Sequence, residues 1–265
     1  MMKFGAIGCG NMASAILRGI AAGMPGRLEL YGTDPDPAKL EALSDTGVSP
    51  LSSAADVARE CDMVLLSVKP QVFPSLAAEL REAAADKAYL SIMAGISADA
   101  IREALGFPAR LCMIMPNTPL MLGAGATAMA CDGMTEEEFA LAREIFSCAG
   151  KVVEIPADKM NAVIPLNGSS PAFIYEFAKG FLRYGKEVGF SDEVALTLFC
   201  QSLRGAAEMM ERSGYDVDTL IQMVSSKGGT TIAGLSGLSD GGMQQAIDLC
   251  CHRCVQRAEE LAAGR

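Results

Sequence analysis

One histidine, His252, serves the whole chain, and it lies inside a helical pattern. Mechanisms that depend on a histidine base or a histidine-rich metal site are thereby nearly excluded. Positive charge is also in deficit. The net charge is −10, with 12 basic against 19 acidic residues through Ile155 and 10 against 13 afterwards, so neither half is a basic module and nucleic acid or an anionic membrane is not an expected partner. No apolar run approaches the ~18 residues of a membrane span, and Met1 to Phe4 lead into a strand pattern without a basic leader or cleavage site. The expectation is a cytoplasmic protein. The nine cysteines are odd in number and lack a secretory context, so they read as reduced thiols rather than a disulfide framework. Cys251 and Cys254 have C-x-x-C spacing, but no second pair completes a zinc site, so no metal is expected. Ile247, Cys250, Cys254, Ala258 and Leu261 recur at helical spacing, which makes those thiols part of a buried helix face.

What is present is apolar bulk and alternation. Half of the 265 residues are hydrophobic, enough for one large domain or two modest ones. Up to Ile155, short β-type runs ("FGAIG", "LELYG", "MVLLSV", "AYLSIM", "RLCMIM", "ATAMAC", "KVVEI") are interleaved with helical patterns such as "NMASAILRGIAA" and "PAKLEALSD". That repetition predicts an α/β fold with a Rossmann-type, doubly wound, largely parallel sheet over residues 1–155. After Ile155 the strand signals stop. "DKMNAVIPL", "PAFIYEFAKGFLRYGKEV", "DEVALTLFCQSLRGAAEMMERS", "DVDTLIQMV" and Met243 to Ala263 read as helices, predicting an all-α domain over 156–265. Its helices carry more apolar surface than a unit of that size can bury alone, which points to a homo-oligomer interface.

"FGAIGCGNMASAI" sets Gly8, Gly10 and Ala13 as G-x-G-x-x-A between the first strand and the first helix. The glycines permit a tight turn and close backbone approach to a pyrophosphate, whose charge then meets the helix N-terminus. Alone the pattern is weak. Here it follows a strand, opens a helix with Asn11, Met12 and Ala13, and precedes a second strand that ends in Asp34, so these residues form a candidate dinucleotide site. A carboxylate at Asp34 suits the ribose hydroxyls of NAD and repels the 2′-phosphate of NADP. The nearest cation, Lys39, stands five positions on, so the residues lean toward NADH or dual use. "SVKPQ" ends another strand on the edge where such sheets bind ligands, adding Ser67, Val68, Lys69 and Pro70 as candidate cofactor contacts.

With "SVKPQ", "MPNTPLMLGAG", "NGSSPAF" and "SSKGGTTIAGL" in this order, the chain resembles the pyrroline-5-carboxylate reductase family over nearly its whole length. The resemblance implies an N-terminal Rossmann domain, a C-terminal helical domain that interlocks in a dimer or a higher assembly of dimers, and reduction of the cyclic imine 1-pyrroline-5-carboxylate to L-proline with NADPH or NADH. It further implies that Asn117 and Thr118 shape the nicotinamide end, that Gly228, Gly229, Thr230 and Thr231 meet the imino-acid substrate, and that the Thr231 hydroxyl lies nearest the ring nitrogen as the catalytic group; Ser169 and Ser170, at a second helix start, are further candidate substrate contacts on their own chemistry. Three departures stand out. Asn167 and Ser170 lie where the family usually has serine and glycine, Lys227 where it usually has proline, and Asp34 with Pro35 where it usually has an arginine or another phosphate-tolerant residue.

The residue types suit the chemistry. Successive backbone N–H groups across Gly228, Gly229 and Thr230, at the start of a helix, form a concavity for the substrate carboxylate, and Ser169 or Ser170 caps a second helix whose first turn holds Pro171. A cyclic imine is readily protonated near neutral pH, so the site must mainly hold the C=N carbon against C4 of the nicotinamide and exclude water. The proton comes from Thr231 or from a water. Lys227 adds charge for the carboxylate, admits a bulkier acid, or extends into solvent. Two other functions remain open on these residues, a paralogue reducing another cyclic imino acid and a non-catalytic dinucleotide-binding protein.

Overall fold

The computed structural model describes residues 1–83 and 86–262. The first part runs β1 (Met2–Ile7), α1 (Asn11–Gly23), β2 (Leu28–Thr33), α2 (Pro37–Glu41), β3 (Ser49–Pro50), α3 (Ala54–Glu60), β4 (Met63–Leu66), α4 (Phe73–Leu80), β5 (Ala88–Ser91), α5 (Ala98–Leu105), β6 (Arg110–Met115), β7 (Gly125–Asp132), α6 (Glu136–Ser147) and β8 (Gly150–Glu154). Among the described residues the strands form one sheet in the order β3-β2-β1-β4-β5-β6-β7-β8. All pairs are parallel except β6 with β7. This is the doubly wound sheet that the alternation predicts. The chain order reverses between β1 and β4, the switch point where such sheets open a crevice.

The strands read as continuous apolar runs because both faces are covered. Phe4 and Ala6 of β1, Met63 and Leu65 of β4, and Cys112 and Ile114 of β6 enter the core under α1 and α6. Their neighbours Ile7, Val64, Leu66, Leu111 and Met113 enter the core under α3, α4 and α5. The two-residue period of the pleat thus sorts one sequence run between two cores.

Two sequence expectations need correction. The edge strand β3 is absent from the strand reading, because two exposed residues ending in proline carry neither period nor length. "DKMNAVIPL" is not a helix. After a 3₁₀ turn at Ala157–Lys159, residues 160–168 are a run of turns, and the helical spacing of Val163 and Leu166 is cut by Pro165, which has no N–H to continue a ladder.

The remaining helices are α7 (Ser170–Glu187), α8 (Asp192–Arg212), α9 (Val217–Met223), α10 (Thr230–Asp240) and α11 (Met243–Ala262). By contacts the chain divides into two compact units, residues 1–171 with 254–265, and residues 172–253. The second unit has little interior of its own. No residue of α8, α9 or α10 is buried, and Phe177, Phe181 and Phe199 stack with centroids 5.0–6.3 Å apart while Phe177 and Phe181 stay more than 40 % exposed. The thiol face of α11 is also more open than its spacing suggests. Ala258 is buried, whereas Cys250, Cys251 and Cys254 are half-buried and Ile247 and Leu261 exposed.

Candidate active site

The nucleotide end of the site is built where β1 and β4 stop. Gly8 takes φ +89°, and its N–H donates to the Thr33 carbonyl at 2.9 Å. A Cβ at Gly8 would come within 2.5 Å of the Ser67 carbonyl oxygen and 3.1 Å of Val68, so "SVKPQ" and the first glycine are pressed together at the switch point. Gly10 differs. Its φ is −71°, it caps α1 without any side-chain hydrogen bond, no acidic residue lies in the first turn, and a Cβ there would project into open space. An uncapped helix mouth with bare amides and clear space above it fits a dinucleotide pyrophosphate. Asn11 is exposed, Met12 half-buried and Ala13 fully buried, so Ala13 packs the helix onto the sheet while Asn11 faces outward. Lys69 is exposed, and Pro70 opens a 3₁₀ turn that runs into α4.

Asp34 is more engaged than its place at the end of β2 suggests. Its side chain is 4 % exposed. The carboxylate accepts from the Cys9 N–H at 2.8 Å and the Asp36 N–H at 2.9 Å, and Lys39 Nζ donates to both oxygens at 3.0 and 3.2 Å. Burial works against the charge, but the Asp36 amide, Lys39 and the Cys9 amide together hold its pKa below the ordinary carboxylate value. Asp34 therefore organises the glycine loop and binds Lys39 at the place where an adenosine ribose would be read. Burial, with Asp34 beside it, pushes the Cys9 thiol up to about 11, so Cys9 stays protonated and apolar at neutral pH.

"MPNTP" and "NGSSP" meet at the far end of the sheet edge. Asn117, 7 % exposed, accepts from the Ala126 N–H at 2.9 Å and donates through Nδ2 to the Asn167 carbonyl at 3.1 Å. Thr118 is exposed beside it. The Ser170 hydroxyl donates to the Asn167 carbonyl at 3.2 Å, and Ser169 Oγ accepts from the Cys254 thiol at 3.5 Å. The serine hydroxyls thus bind the loop and α11, where the sequence suggests a helix cap.

In the second unit, Gly228 has φ +74° and Gly229 caps α10 with no side-chain hydrogen bond and no acid in the first turn. The expected row of bare amides shifts along the chain. The Gly229 N–H donates to the Ser226 carbonyl at 2.9 Å, while helix geometry leaves the N–H groups of Thr230, Thr231 and Ile232 without intrahelical partners. Ile232, not singled out in the sequence, was readable from "GGTTI" once Gly229 is set as the cap. Thr231 is half-buried; Lys227 and Thr230 are exposed.

Residues 157–261 match the family described as pyrroline-5-carboxylate reductase dimerisation, and residues 3–95 match the one described as NADP oxidoreductase coenzyme F420-dependent. The pyrroline-5-carboxylate reductase of Escherichia coli strain K12 is 32% identical over 266 residues, 98% of each chain. That of Synechocystis is 36% identical, again over 98% of each. The chain belongs to the pyrroline-5-carboxylate reductase family. Among solved structures, the Plasmodium falciparum pyrroline carboxylate reductase with NADP bound superposes with a TM-score of 0.89 at 25% identity, and the Coxiella burnetii enzyme with 0.88 at 29%, each over 98% of both chains. The resemblance carried by the four motifs therefore holds along the whole chain. It is an NAD(P)H-dependent oxidoreductase of the CH–NH class with a Rossmann-type first domain and a helical dimerisation domain. The match to a dimerisation family takes in α8, α9 and α10, the helices that bury no residue within one chain. Among the described residues no helix is long and apolar enough to cross a membrane.

Proposed function

We propose that this chain reduces 1-pyrroline-5-carboxylate to L-proline, with residues 1–155 holding the dinucleotide and residues 156–265 dimerising and binding the imino acid. The observation that carries the reading is a pair of glycine-opened helix mouths, at α1 and α10, that have no side-chain cap and no acid in the first turn. Each is an anion site by the same physics, exposed amides backed by a helix dipole. The α1 mouth, with Gly8, Gly10, Asn11, Met12 and Ala13, takes the pyrophosphate. Ser67, Val68, Lys69 and Pro70 border it, and Asn117 and Thr118 shape the nicotinamide end. The α10 mouth, opened by Gly228 and Gly229, takes the substrate carboxylate on the amides of Thr230, Thr231 and Ile232. Ser169 and Ser170 bound the imino acid from the start of α7.

NAD(P)H, when bound, would supply a hydride from C4 of its nicotinamide. The chain's own work is to hold the imine carbon against that position, to keep water off it, and to orient the ring nitrogen by a hydrogen bond to the Thr231 hydroxyl. Little acid–base help is needed, which accords with a site that contains no histidine. Because Lys39 already neutralises Asp34, a cofactor carrying a 2′-phosphate does not meet a bare carboxylate there, and we propose use of both NADPH and NADH. The NADP found in the Plasmodium falciparum relative supports this.

The test is a set of initial rates, followed by nicotinamide absorbance, with the five-membered and six-membered cyclic imino acids, each with NADH and NADPH, on the parent and on Thr231→Ala. The expected result is turnover of the five-membered ring and a loss of kcat/KM on Thr231→Ala equivalent to about 1–3 kcal/mol. Preference for the six-membered ring, the alternative that Asn167, Ser170 and Lys227 raise, would reassign the substrate. Cofactor binding without oxidation would mark a non-catalytic protein.

A further inference from the structure

β6 and β7 pair as an antiparallel ladder from Cys112 with Cys131 to Met115 with Ala128. They part at Pro116, which has no N–H to offer. Beyond that point the N–H and C=O of Ala126, which point to the same side of the strand, would face nothing. Two carboxamides take the place of the missing strand. Asn117 Oδ1 accepts from the Ala126 N–H at 2.9 Å, and Asn167 Nδ2 donates to the Ala126 carbonyl at 3.1 Å. The same Nδ2 donates to the Met115 carbonyl at 2.7 Å, and the Asn167 main-chain carbonyl accepts from Asn117 Nδ2 at 3.1 Å.

We propose that Asn167 is a positioning residue for the nicotinamide end of the site, acting through Asn117. The inference rests on the reading of Asn117 and Thr118 as the loop that shapes that end. The orientation of the Asn167 amide follows from its neighbours, because exchanging its two ends would set Oδ1 against two carbonyl oxygens. In the orientation seen, Oδ1 is buried with no partner among the described residues. An unpaired buried acceptor is unfavourable, and an alanine would carry none, so the side chain contributes through its NH₂ half. That half offers two donors to two carbonyls, one on each diverging strand. A serine at 167, usual in the family, has one donor and holds at most one of them. The extra tie fixes the spacing of β6 and β7 where they open, and with it the place of Asn117, whose own amide is consumed at both ends by Ala126 and Asn167.

The experiment compares Asn167→Ala, Asn167→Ser, Asn117→Ala and the Asn117→Ala/Asn167→Ala double variant in the full-length protein. It reads the Kd for NADPH from reduced-nicotinamide fluorescence, kcat and KM for the imine, and the thermal midpoint. Asn167→Ala is expected to raise the NADPH Kd and lower kcat roughly tenfold, and Asn167→Ser roughly threefold, since small displacements at a hydride-transfer site are felt strongly. The imine KM is expected to stay at its parent value, and the double variant to be no worse than the poorer single one, as for residues acting as a unit. Parent-like NADPH affinity in Asn167→Ser, or an effect confined to the imine KM, would overturn the proposal. So would a lowered thermal midpoint with unchanged kcat and cofactor Kd, or additive losses in the double variant. Should Asn167→Ala fail to fold, Asn167→Ser carries the same comparison. The fluorescence titration needs no imine, so a wrong substrate assignment and a wrong role for Asn167 give different results.

Discussion

Gly8 and Gly10 look alike in G-x-G-x-x-A, yet the structure gives them different physical reasons. Gly8 sits at φ +89° with the Ser67 carbonyl in the space a Cβ would need, so it is required by the fold itself. Gly8→Ala is expected to lower the free energy of unfolding by about 1–3 kcal/mol through strained backbone and the close contact with Ser67. A urea titration measures it, and an unchanged midpoint would mean that β1 and β4 separate freely at the switch point. A motif reports residue type and spacing, so both glycines were legible as a nucleotide fingerprint. It does not report φ, so their division of labour was not. Asp34 shows the same limit. Its presence at the end of a strand was readable, and so was the local turn to the Asp36 amide, but the tie to the Cys9 amide joins residues 25 apart, which no local pattern encodes.

Two kinds of helix mouth bear on the site. Ser53, Ser97, Thr135, Ser191 and Asp216 each accept a hydrogen bond from the first turn of α3, α5, α6, α8 and α9, and Thr135 with Glu138 closes a full capping box. α1 and α10 begin at glycines with no such bond, leaving their amides for anions. The substitution Gly10→Asp sets stability against function. The backbone there, φ −71° and ψ −177°, suits an aspartate cap, and the Cβ meets open space. The variant is expected to stabilise the cofactor-free chain by about 1 kcal/mol while its carboxylate repels the pyrophosphate and abolishes NAD(P)H binding. Thermal melts with and without NADPH check both halves, and a variant still stabilised by NADPH would move the pyrophosphate away from α1. These caps were readable because they are local, one side-chain oxygen and an amide three residues on. The turns of 160–168 were not, since apolar spacing around Pro165 imitates a helix. Nor was the joint between Asn117 and Asn167, where residues fifty positions apart complete a ladder that Pro116 interrupts.

The first unit buries two apolar cores, whereas α8, α9 and α10 bury no residue, and Ile174, Phe177, Phe181, Leu203, Met209 and Ile221 are all at least 40 % exposed within one chain. Helices of this length draw most of their stability from packing of an apolar face, so residues 172–253 depend on a second copy for theirs. Excess apolar surface in 156–265 was readable from composition; which residues a partner covers was not, because a helix facing a partner and one facing its own core have the same period. Folding of that unit is therefore coupled to association. The urea midpoint is expected to fall with dilution, by about 1.4 kcal/mol of dimer stability for each tenfold step. Limited proteolysis at high dilution is expected to cut first between 172 and 253 while the sheet stays intact. A concentration-independent midpoint with 172–253 still protected would show that the helices find their cover within one chain, and the exposed phenylalanine cluster would then need another explanation.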